Sequence, residues 1–211
     1  MGLEQRFYQF KRVEAQDGDG AEAATPLIFG YAAVFNVLSE ELFGIFRETI
    51  MPGAFDGCLV DCDIRALWNH NPDFPLGRTT NDTLRLEQDN TGLRIEIEPP
   101  ETQIGRDAVK SIQRGDVDQM SFAFEVIEDE WSEGPDGVVR TLHAVKLFEV
   151  SPVVFPAYPQ TNVGVGVRGL DWGVMPDIPA EFRRASGLAV GRNAQGWIAL
   201  QRKRLELLSR Q

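Results

Sequence analysis

Short segments in which apolar and polar residues alternate make up most of this chain, and one segment alone has a clear helical period. Alternation places successive side chains on opposite faces of a strand. The segments TLRLEQD and TGLRIEIEP predict a hairpin that turns around Asp89 and Asn90. Further strands are predicted in RFYQFKRVEA, LIFGYAAVFNV, DIRALWNH, QMSFAFEVIEDEW and VVRTLHAVKLFEVSPVVF. Many strands with few helices predict a β-rich barrel or α+β domain.

The helical segment runs from Thr102 to Arg114 and is followed by Gly115. Its apolar residues recur at helical spacing, and a glycine directly after such a pattern is typical of a helix C-cap. These apolar residues are Ile104, Ala108, Val109 and Ile112. A helix is therefore predicted immediately before the strand that contains Ser121.

Glycine and proline predict local irregularities elsewhere. Gly30 inside an apolar strand permits a bulge or a close backbone approach. Pro52 fits the first turn of a helix, so the run MPGAF is expected to open a short one. The run NPDFPLGRTTND is rich in Pro, Gly and Asn and predicts a loop.

Charge and hydropathy limit the partners of the chain. The formal net charge of −11 is uneven: residues 180–211 carry seven basic and two acidic side chains, whereas the preceding part carries 14 basic and 30 acidic ones. A body this acidic repels phosphates, so nucleic acid is not an expected partner. No apolar run approaches the roughly 20 residues of a membrane helix, so no membrane partner is expected either. We expect protein partners.

The metal-binding and thiol residues give no indication of a cofactor or a metal. Cys58 and Cys62 lie four positions apart without a matching histidine pair or second cysteine pair, which is typical of reduced thiols in an intracellular protein. The two histidines lack the spacing of a metallohydrolase motif. The N-terminus interleaves charged and apolar residues unlike a signal peptide, so a cytoplasmic protein is expected.

A serine, a histidine and a carboxylate lie on three separate short segments. His70 follows the apolar run ALW, Ser121 lies in DQMSFAFEV, and Glu149 lies in KLFEVSPVVF. Such residues meet only through folding, which is how a nucleophilic triad is assembled. A serine in an apolar strand needs a hydrogen-bond partner, and a carboxylate there must be paired or exposed on one face.

The third member of this set is open to alternatives. On an unbroken strand, alternation puts His143 on the same side as Glu149, so either could orient His70. A structural Glu149, paired with Arg65 or Arg78, is also compatible with the pattern. Each histidine taken alone is more often a structural residue than a catalytic one.

From about Phe7 to Val167, the chain resembles the prohead maturation proteases of tailed bacteriophages. The resemblance is carried by the ordered segments GYAAVFNV, IMPGAF, ALWNHNPDFPLGRT, GLRIEIEPP, QMSFAFEV and LFEVSPVVFPAYPQT. It implies a serine endopeptidase related in fold to the herpesvirus assemblins, with an α+β, β-rich fold in which helices surround a β-barrel.

The resemblance also implies residue roles. The histidine of WNH, His70, would be the general base, and the serine of MSF, Ser121, the nucleophile. Glu149 would orient the imidazole, with His143 as the competing choice because the distant herpesvirus enzymes use a second histidine. The sequence does not identify the groups that would hold the oxyanion: they are backbone N–H groups or an arginine, and Arg78 and Arg106 are candidates on charge alone.

The implied activity is cleavage of the major capsid protein and its scaffolding segment, and of the enzyme itself, inside the immature capsid in the host cytoplasm. A homo-oligomer is also expected. Residues 1–168 would form the protease domain. Residues 169–211 would form a basic tail for processing, scaffold docking or targeting, in which WIALQRKRLELLSR predicts an amphipathic helix.

Two other classes of protein compete with this interpretation. A non-enzymatic capsid or scaffold component on the same fold would not need Ser121 and His70 together. A general esterase or amidase would more often carry a G-x-S-x-G nucleophile elbow, whereas Ser121 lies in DQMSFAF.

Overall fold

The computed structural model describes residues 4–8, 14–16, 26–60, 62–135, 137–154 and 176–185. The strands are β1 (Glu4–Tyr8), β2 (Glu14–Gln16), β3 (Leu27–Val34), β4 (Phe46–Ile50), β5 (Arg65–Trp68), β6 (Asn71–Arg78), β7 (Leu84–Gln88), β8 (Gly92–Ile97), β9 (Gln119–Gly134) and β10 (Gly137–Val153). The helices are α1 (Asp56–Leu59), α2 (Gln103–Arg114) and α3 (Ala180–Ala185), and a 3-10 helix covers Thr79–Asn81. The fold is therefore mixed α+β and rich in strands, as the sequence predicts.

The first sheet is built around the long antiparallel hairpin of β9 and β10. Its strand order is β1-β9-β10-β5-β6, and β4 also pairs with β10. Strand β1 runs antiparallel to β9, whereas β4 and β5 run parallel to β10. This order brings together the strands predicted to carry Ser121, Glu149 and His70.

The second sheet has the order β2-β3-β8-β7. Its β7–β8 hairpin confirms the turn predicted at Asp89 and Asn90. The carboxylate of Asp89 accepts hydrogen bonds from the N–H groups of Thr91 and Gly92, at 2.6 and 3.0 Å. An aspartate that bonds to the backbone just beyond it is a common way to stabilise a turn.

Helix α2 confirms the one strong helical prediction. The hydroxyl of Thr102 accepts a hydrogen bond from the N–H of Gly105 and caps the first turn. Gly115 ends the helix in the left-handed conformation, with φ of 80°. The buried face of α2 contains Ala108, Val109 and Ile112.

One hydrophobic core joins the two sheets and α2. It includes Ile28 and Ile95 from the second sheet and Phe122 and Val150 from the first, all fully buried. Phe122 packs edge-on against Phe55, with ring centroids 5.8 Å apart. Packing from both sheets fixes the strands of the first sheet relative to one another.

One prediction around proline is wrong, and in another the predicted short helix begins later than expected. The run predicted as a loop contains strand β6, and Pro72 and Pro75 are tolerated because β6 lies at the edge of the described sheet and pairs irregularly with β5. The run that starts at Pro52 is a turn, and helix α1 begins only at Asp56.

Strand irregularities also differ from the predictions. The register shift in β3 falls between Tyr31 and Ala33 rather than at Gly30. Strand β10 has shifts on both sides of Ala144 and another just before Glu149. The assumption of unbroken alternation along β10 is therefore wrong.

The predicted barrel is not settled by these pairings. Within the described residues, the paired strands form two separate sheets. A closed barrel therefore stays a prediction.

Part of the predicted tail packs on the body. Ile178 is buried in a small cluster with Phe46 and Val138, and the ring of Phe182 lies 6.4 Å from that of Trp131. The predicted basic helix at residues 197–210 lies outside the described residues.

Candidate active site

A two-residue hairpin turn delivers His70 to the site. Trp68 pairs with Asn71, so Asn69 and His70 form the loop between β5 and β6. Both have positive φ values, 53° and 59°. Two consecutive left-handed residues are what a type I′ turn requires, and asparagine adopts this conformation more readily than most residues. The turn projects His70 from the end of a rigid strand.

Asn69 ties this turn to the end of β10. Its N–H donates to the carbonyl oxygen of Pro152 at 3.1 Å, and its side-chain oxygen accepts from the N–H of Val154 at 2.9 Å. The turn is thus held on the segment that directly follows Glu149.

His70 and Glu149 form a close pair. The Nδ1 atom of His70 lies 2.5 Å from Oε1 of Glu149, and the two side chains are only 5% and 11% exposed. A carboxylate can only accept, so Nδ1 carries the proton of this bond. The neutral ring then has its lone pair on Nε2, the nitrogen that can act as a base.

The second oxygen of Glu149 is also engaged. The hydroxyl of Ser151 donates to Oε2 of Glu149 at 2.5 Å, and the same hydroxyl accepts from the N–H of His70 at 3.2 Å. The sequence-based reasoning missed Ser151. Its position in the sequence does point to the site, because alternation places residues 149 and 151 on one face of a strand.

Ser121 lies beside this group on the neighbouring strand. It is fully buried and pairs directly with Ser151 across β9 and β10. Residues opposite each other in an antiparallel pair direct their side chains to the same face. The sheet therefore places Ser121, Ser151 and Glu149 on one face, with His70 bonded to the last of them.

The hydroxyl proton of Ser121 is directed toward strand β1. The Ser121 hydroxyl donates to the carbonyl oxygen of Arg6 at 3.0 Å. A hydroxyl has one proton to donate, so in this arrangement the proton is not offered to His70.

The other residues considered from the sequence lie in different surroundings. Nε2 of His143 is 3.4 Å from the carboxylate of Glu130, and its side chain is 35% exposed. Arg65 and Arg78 both pair with Asp63 rather than with Glu149. Arg106 donates to the main-chain oxygen of Glu101 and to the side chain of Gln103 at the start of α2.

A buried charge cluster connects β1 to the interior of the first sheet. Arg6 bonds to Glu4 and Glu48, and Arg140 bonds to Glu4, Glu48 and Asp129. Burial works against protonation of Arg6, but the charges of Glu48 and Glu4 outweigh it and raise its pKa. Both arginines therefore stay charged, and β1 is held by ionic contacts.

The sequence-based reasoning did not find this cluster. The signal for it is Glu48, which lies between Phe46 and Ile50 on the buried face of a five-residue strand. A charged residue at an inward position predicts a buried partner.

The described residues were also compared with the requirements of a metal site and of a membrane-spanning helix. Among them, no group of three or more His, Cys, Asp or Glu side chains is placed to hold a metal ion. No helix in the part of the chain that the structure describes is long and apolar enough to span a membrane.

Comparison with known proteins gives three similarities. A family model described as caudovirus prohead serine protease matches residues 11–173. The prohead protease of Enterobacteria phage HK97 is 25% identical over 186 residues, which cover 86% of this chain and 69% of that protein. The structure of the bacteriophage T4 capsid assembly protease is similar over 73% of this chain and 98% of that one, with a TM-score of 0.48 and 12% identity.

Proposed function

This chain belongs to the caudovirus prohead serine protease family, and on that premise we propose that it is a serine endopeptidase of capsid maturation. Its substrates are the major capsid protein with its scaffolding segment, and the enzyme itself. It acts inside the immature capsid in the host cytoplasm.

One observation carries the assignment of the chemistry. The 2.5 Å bond between His70 and Glu149 joins a histidine and a carboxylate that are 79 positions apart, and it lies on the face to which Ser121 also projects. A base oriented by a carboxylate, next to a buried serine, is the arrangement that activates a hydroxyl. The family and the geometry thus support the same reaction.

Acylation begins with proton transfer from Ser121 to Nε2 of His70. The Ser121 oxygen attacks the carbonyl carbon of the scissile bond, and the carbonyl oxygen becomes an oxyanion. Glu149 stabilises the positively charged imidazolium and keeps its ring in place. The imidazolium then gives its proton to the leaving amine, and the acyl group stays on Ser121.

Ser121 must reorient before this step. Its hydroxyl donates to the Arg6 carbonyl oxygen, so it has to leave that bond and turn its proton toward His70. A peptide substrate also has to reach a side chain that is fully buried. Displacement of the end strand β1 meets both requirements.

Deacylation uses water in place of the amine. His70 removes a proton from the water, the hydroxide attacks the acyl carbon, and the proton returns to Ser121 as the ester breaks. We assign the oxyanion to backbone N–H groups rather than to Arg78, because the guanidinium of Arg78 forms a two-point bond with Asp63.

The domain boundaries and the barrel belong to the same proposal. Residues 1–168 form the protease domain, as an assemblin-like barrel surrounded by helices. Residues 169–211 form a basic tail that tethers the acidic body to a scaffold or shell protein. A chain that ends after residue 185, which keeps the packing of Ile178 and Phe182 on the body, should lose packaging into capsids, and undiminished packaging with unchanged processing would contradict the tether.

The activity is tested by co-expression with the major capsid and scaffold proteins of the same phage. Intact masses of both proteins are followed over time for the native chain, for Ser121→Ala and for Ser39→Ala. Ser39 is a matched control, because it is also buried and hydrogen-bonded but binds Glu40 and Glu48 instead.

Fragments of substrate and enzyme with the native chain and with Ser39→Ala, but not with Ser121→Ala, support the proposal. Identical fragments from all three chains remove Ser121 as the nucleophile. Intact proteins throughout, in capsids that assemble normally, favour the non-enzymatic capsid component instead.

A further inference from the structure

We infer that Ser151 is a positioning residue of the active site. It holds the imidazole of His70 and the carboxylate of Glu149 in the relative orientation that catalysis requires. The inference deepens the proposed function and rests on it. The standard triad of serine, histidine and carboxylate assigns no role to Ser151, the second buried serine.

The first ground is the contact with Glu149. A carboxylate bound through one oxygen can still rotate about its last side-chain bond. The hydroxyl of Ser151 holds the second oxygen at 2.5 Å and is fully buried. With both oxygens held, the carboxylate plane is fixed and Oε1 stays directed at His70.

The second ground is the contact with the backbone of His70. The hydroxyl oxygen of Ser151 accepts the N–H of His70 at 3.2 Å. His70 has a φ of 59°, a conformation that most residues adopt at an energetic cost. The hydroxyl of Ser151 therefore forms hydrogen bonds both with the backbone of His70 and with the carboxylate that orients the His70 ring.

The third ground is the place of Ser151 in the sheet. It lies directly opposite Ser121, and Glu149 lies two residues before it on the same strand. Any loosening at Ser151 is therefore transmitted to the base beside the nucleophile. Misplacement of a catalytic group by about 1 Å costs about 100-fold in rate.

The contacts of Ser151 are those expected of a residue that holds the histidine and the carboxylate in place. It donates its proton to Glu149 and accepts the backbone N–H of His70. The test must nevertheless establish which of the two serines becomes acylated.

The experiment compares the native full chain with Ser151→Ala, Ser151→Thr and the control Ser39→Ala. Proton NMR of histidine-labelled protein follows the far-downfield resonance of the His70 Nδ1 proton. The values of kcat and KM are measured on a peptide from the capsid–scaffold junction. Labelling with a fluorophosphonate, followed by peptide mapping, identifies the reactive serine, and thermal unfolding shows that each variant is folded.

In Ser151→Ala we expect the Nδ1 resonance to broaden or shift upfield and kcat to fall about 10- to 100-fold. KM should change by less than about twofold, because no substrate contact is removed. Ser151→Thr, which retains the hydroxyl, should recover the resonance and most of kcat. Ser39→Ala should leave both unchanged.

An unchanged Nδ1 resonance in folded Ser151→Ala would overturn the inference, and so would a phosphonate adduct on Ser151. Failure of the proposed function has a different signature. The native chain would then form no adduct and cleave no peptide, while Ser151→Ala still altered the Nδ1 resonance.

Discussion

The Ser121 hydroxyl donates a hydrogen bond of 3.0 Å to the main-chain oxygen of Arg6. Arg6 lies on β1, the strand that pairs with the strand of Ser121 and lies at one end of the described sheet. The candidate nucleophile is thus bonded to a neighbouring strand, which is attached by backbone pairing with β9 and by the ionic contacts of Glu4 and Arg6. The strength of that attachment should control access to Ser121.

We therefore predict that Glu4→Gln increases the rate at which a fluorophosphonate labels Ser121. The substitution removes one negative charge that compensates Arg6 and Arg140. If it lowers the free energy of opening β1 by about 1–2 kcal/mol, labelling should accelerate about 5- to 30-fold. Mass spectrometry of the intact protein against time gives the rate.

Asp63→Asn is the control for that experiment, because Asp63 pairs with Arg65 and Arg78 at an exposed site. It should leave the labelling rate unchanged. Equal rates for Glu4→Gln and the native chain would mean that opening of β1 does not limit access to Ser121.

A second prediction separates the two candidates for the third triad member. Glu149→Gln keeps the size of the side chain but removes the charge that stabilises the His70 imidazolium, so kcat should fall about 10³- to 10⁴-fold. His143→Gln should leave kcat within about twofold, since His143 pairs with Glu130 instead of His70. Peptide cleavage assays on both variants make the comparison. A large loss in His143→Gln alone would reverse the assignment.

The sequence predicted the segments of the site more successfully than its geometry. The strand before His70, the helix before Ser121 and the hairpin around Asp89 all follow from local periodicity and turn residues. Such signals act over a few residues, so they are present in the sequence itself. The three candidate site residues were chosen from the same kind of short segment.

The turn that carries His70 could not be predicted with the same rules. Pro72 and Pro75 suggested a loop, because proline is rare inside sheets, yet both are accommodated in a strand at the edge of the described sheet. The left-handed turn at Asn69 is stabilised by contacts with Pro152 and Val154, more than 80 positions away. Tertiary contacts of this kind leave no local pattern.

The bulges in β10 also could not be predicted from the local sequence. The sequence from His143 to Glu149 alternates well enough to suggest an unbroken strand, but the register shifts beside Ala144 and before Glu149 change which face each residue meets. A bulge depends on both paired strands, so it cannot be inferred from one of them. His143 and Glu149 consequently have different surroundings.

A third prediction concerns the buried charge cluster. Arg140→Met removes a guanidinium that bonds to Glu4, Glu48 and Asp129, and it leaves the buried Glu4 and Glu48 with one neighbouring guanidinium, that of Arg6, instead of two. Breaking a buried pair in this way costs about 3–5 kcal/mol in the free energy of unfolding. Urea denaturation of the variant and the native chain measures the difference.

Arg85→Met is the matched control, because it removes the same charge from an exposed pair with Glu96. Its cost should be below about 1 kcal/mol. Similar costs for Arg85→Met and Arg140→Met would show that the cluster at Arg140 is not a buried ionic anchor.

The last prediction uses two helical glycines to test the packing of α2 against Pro100. A Cβ atom on Gly105 would lie 2.0 Å from the carbonyl oxygen of Pro100, whereas one on Gly57 in α1 would meet nothing within 4 Å. Alanine is favoured over glycine in an unobstructed helix by about 0.4–1 kcal/mol, so Gly57→Ala should stabilise the protein by that amount. Gly105→Ala should instead lower the unfolding free energy by about 1–3 kcal/mol, because backbone must shift to relieve the overlap. Urea unfolding should therefore give opposite signs for the same substitution, and stabilisation by both would contradict the close approach of α2 to Pro100.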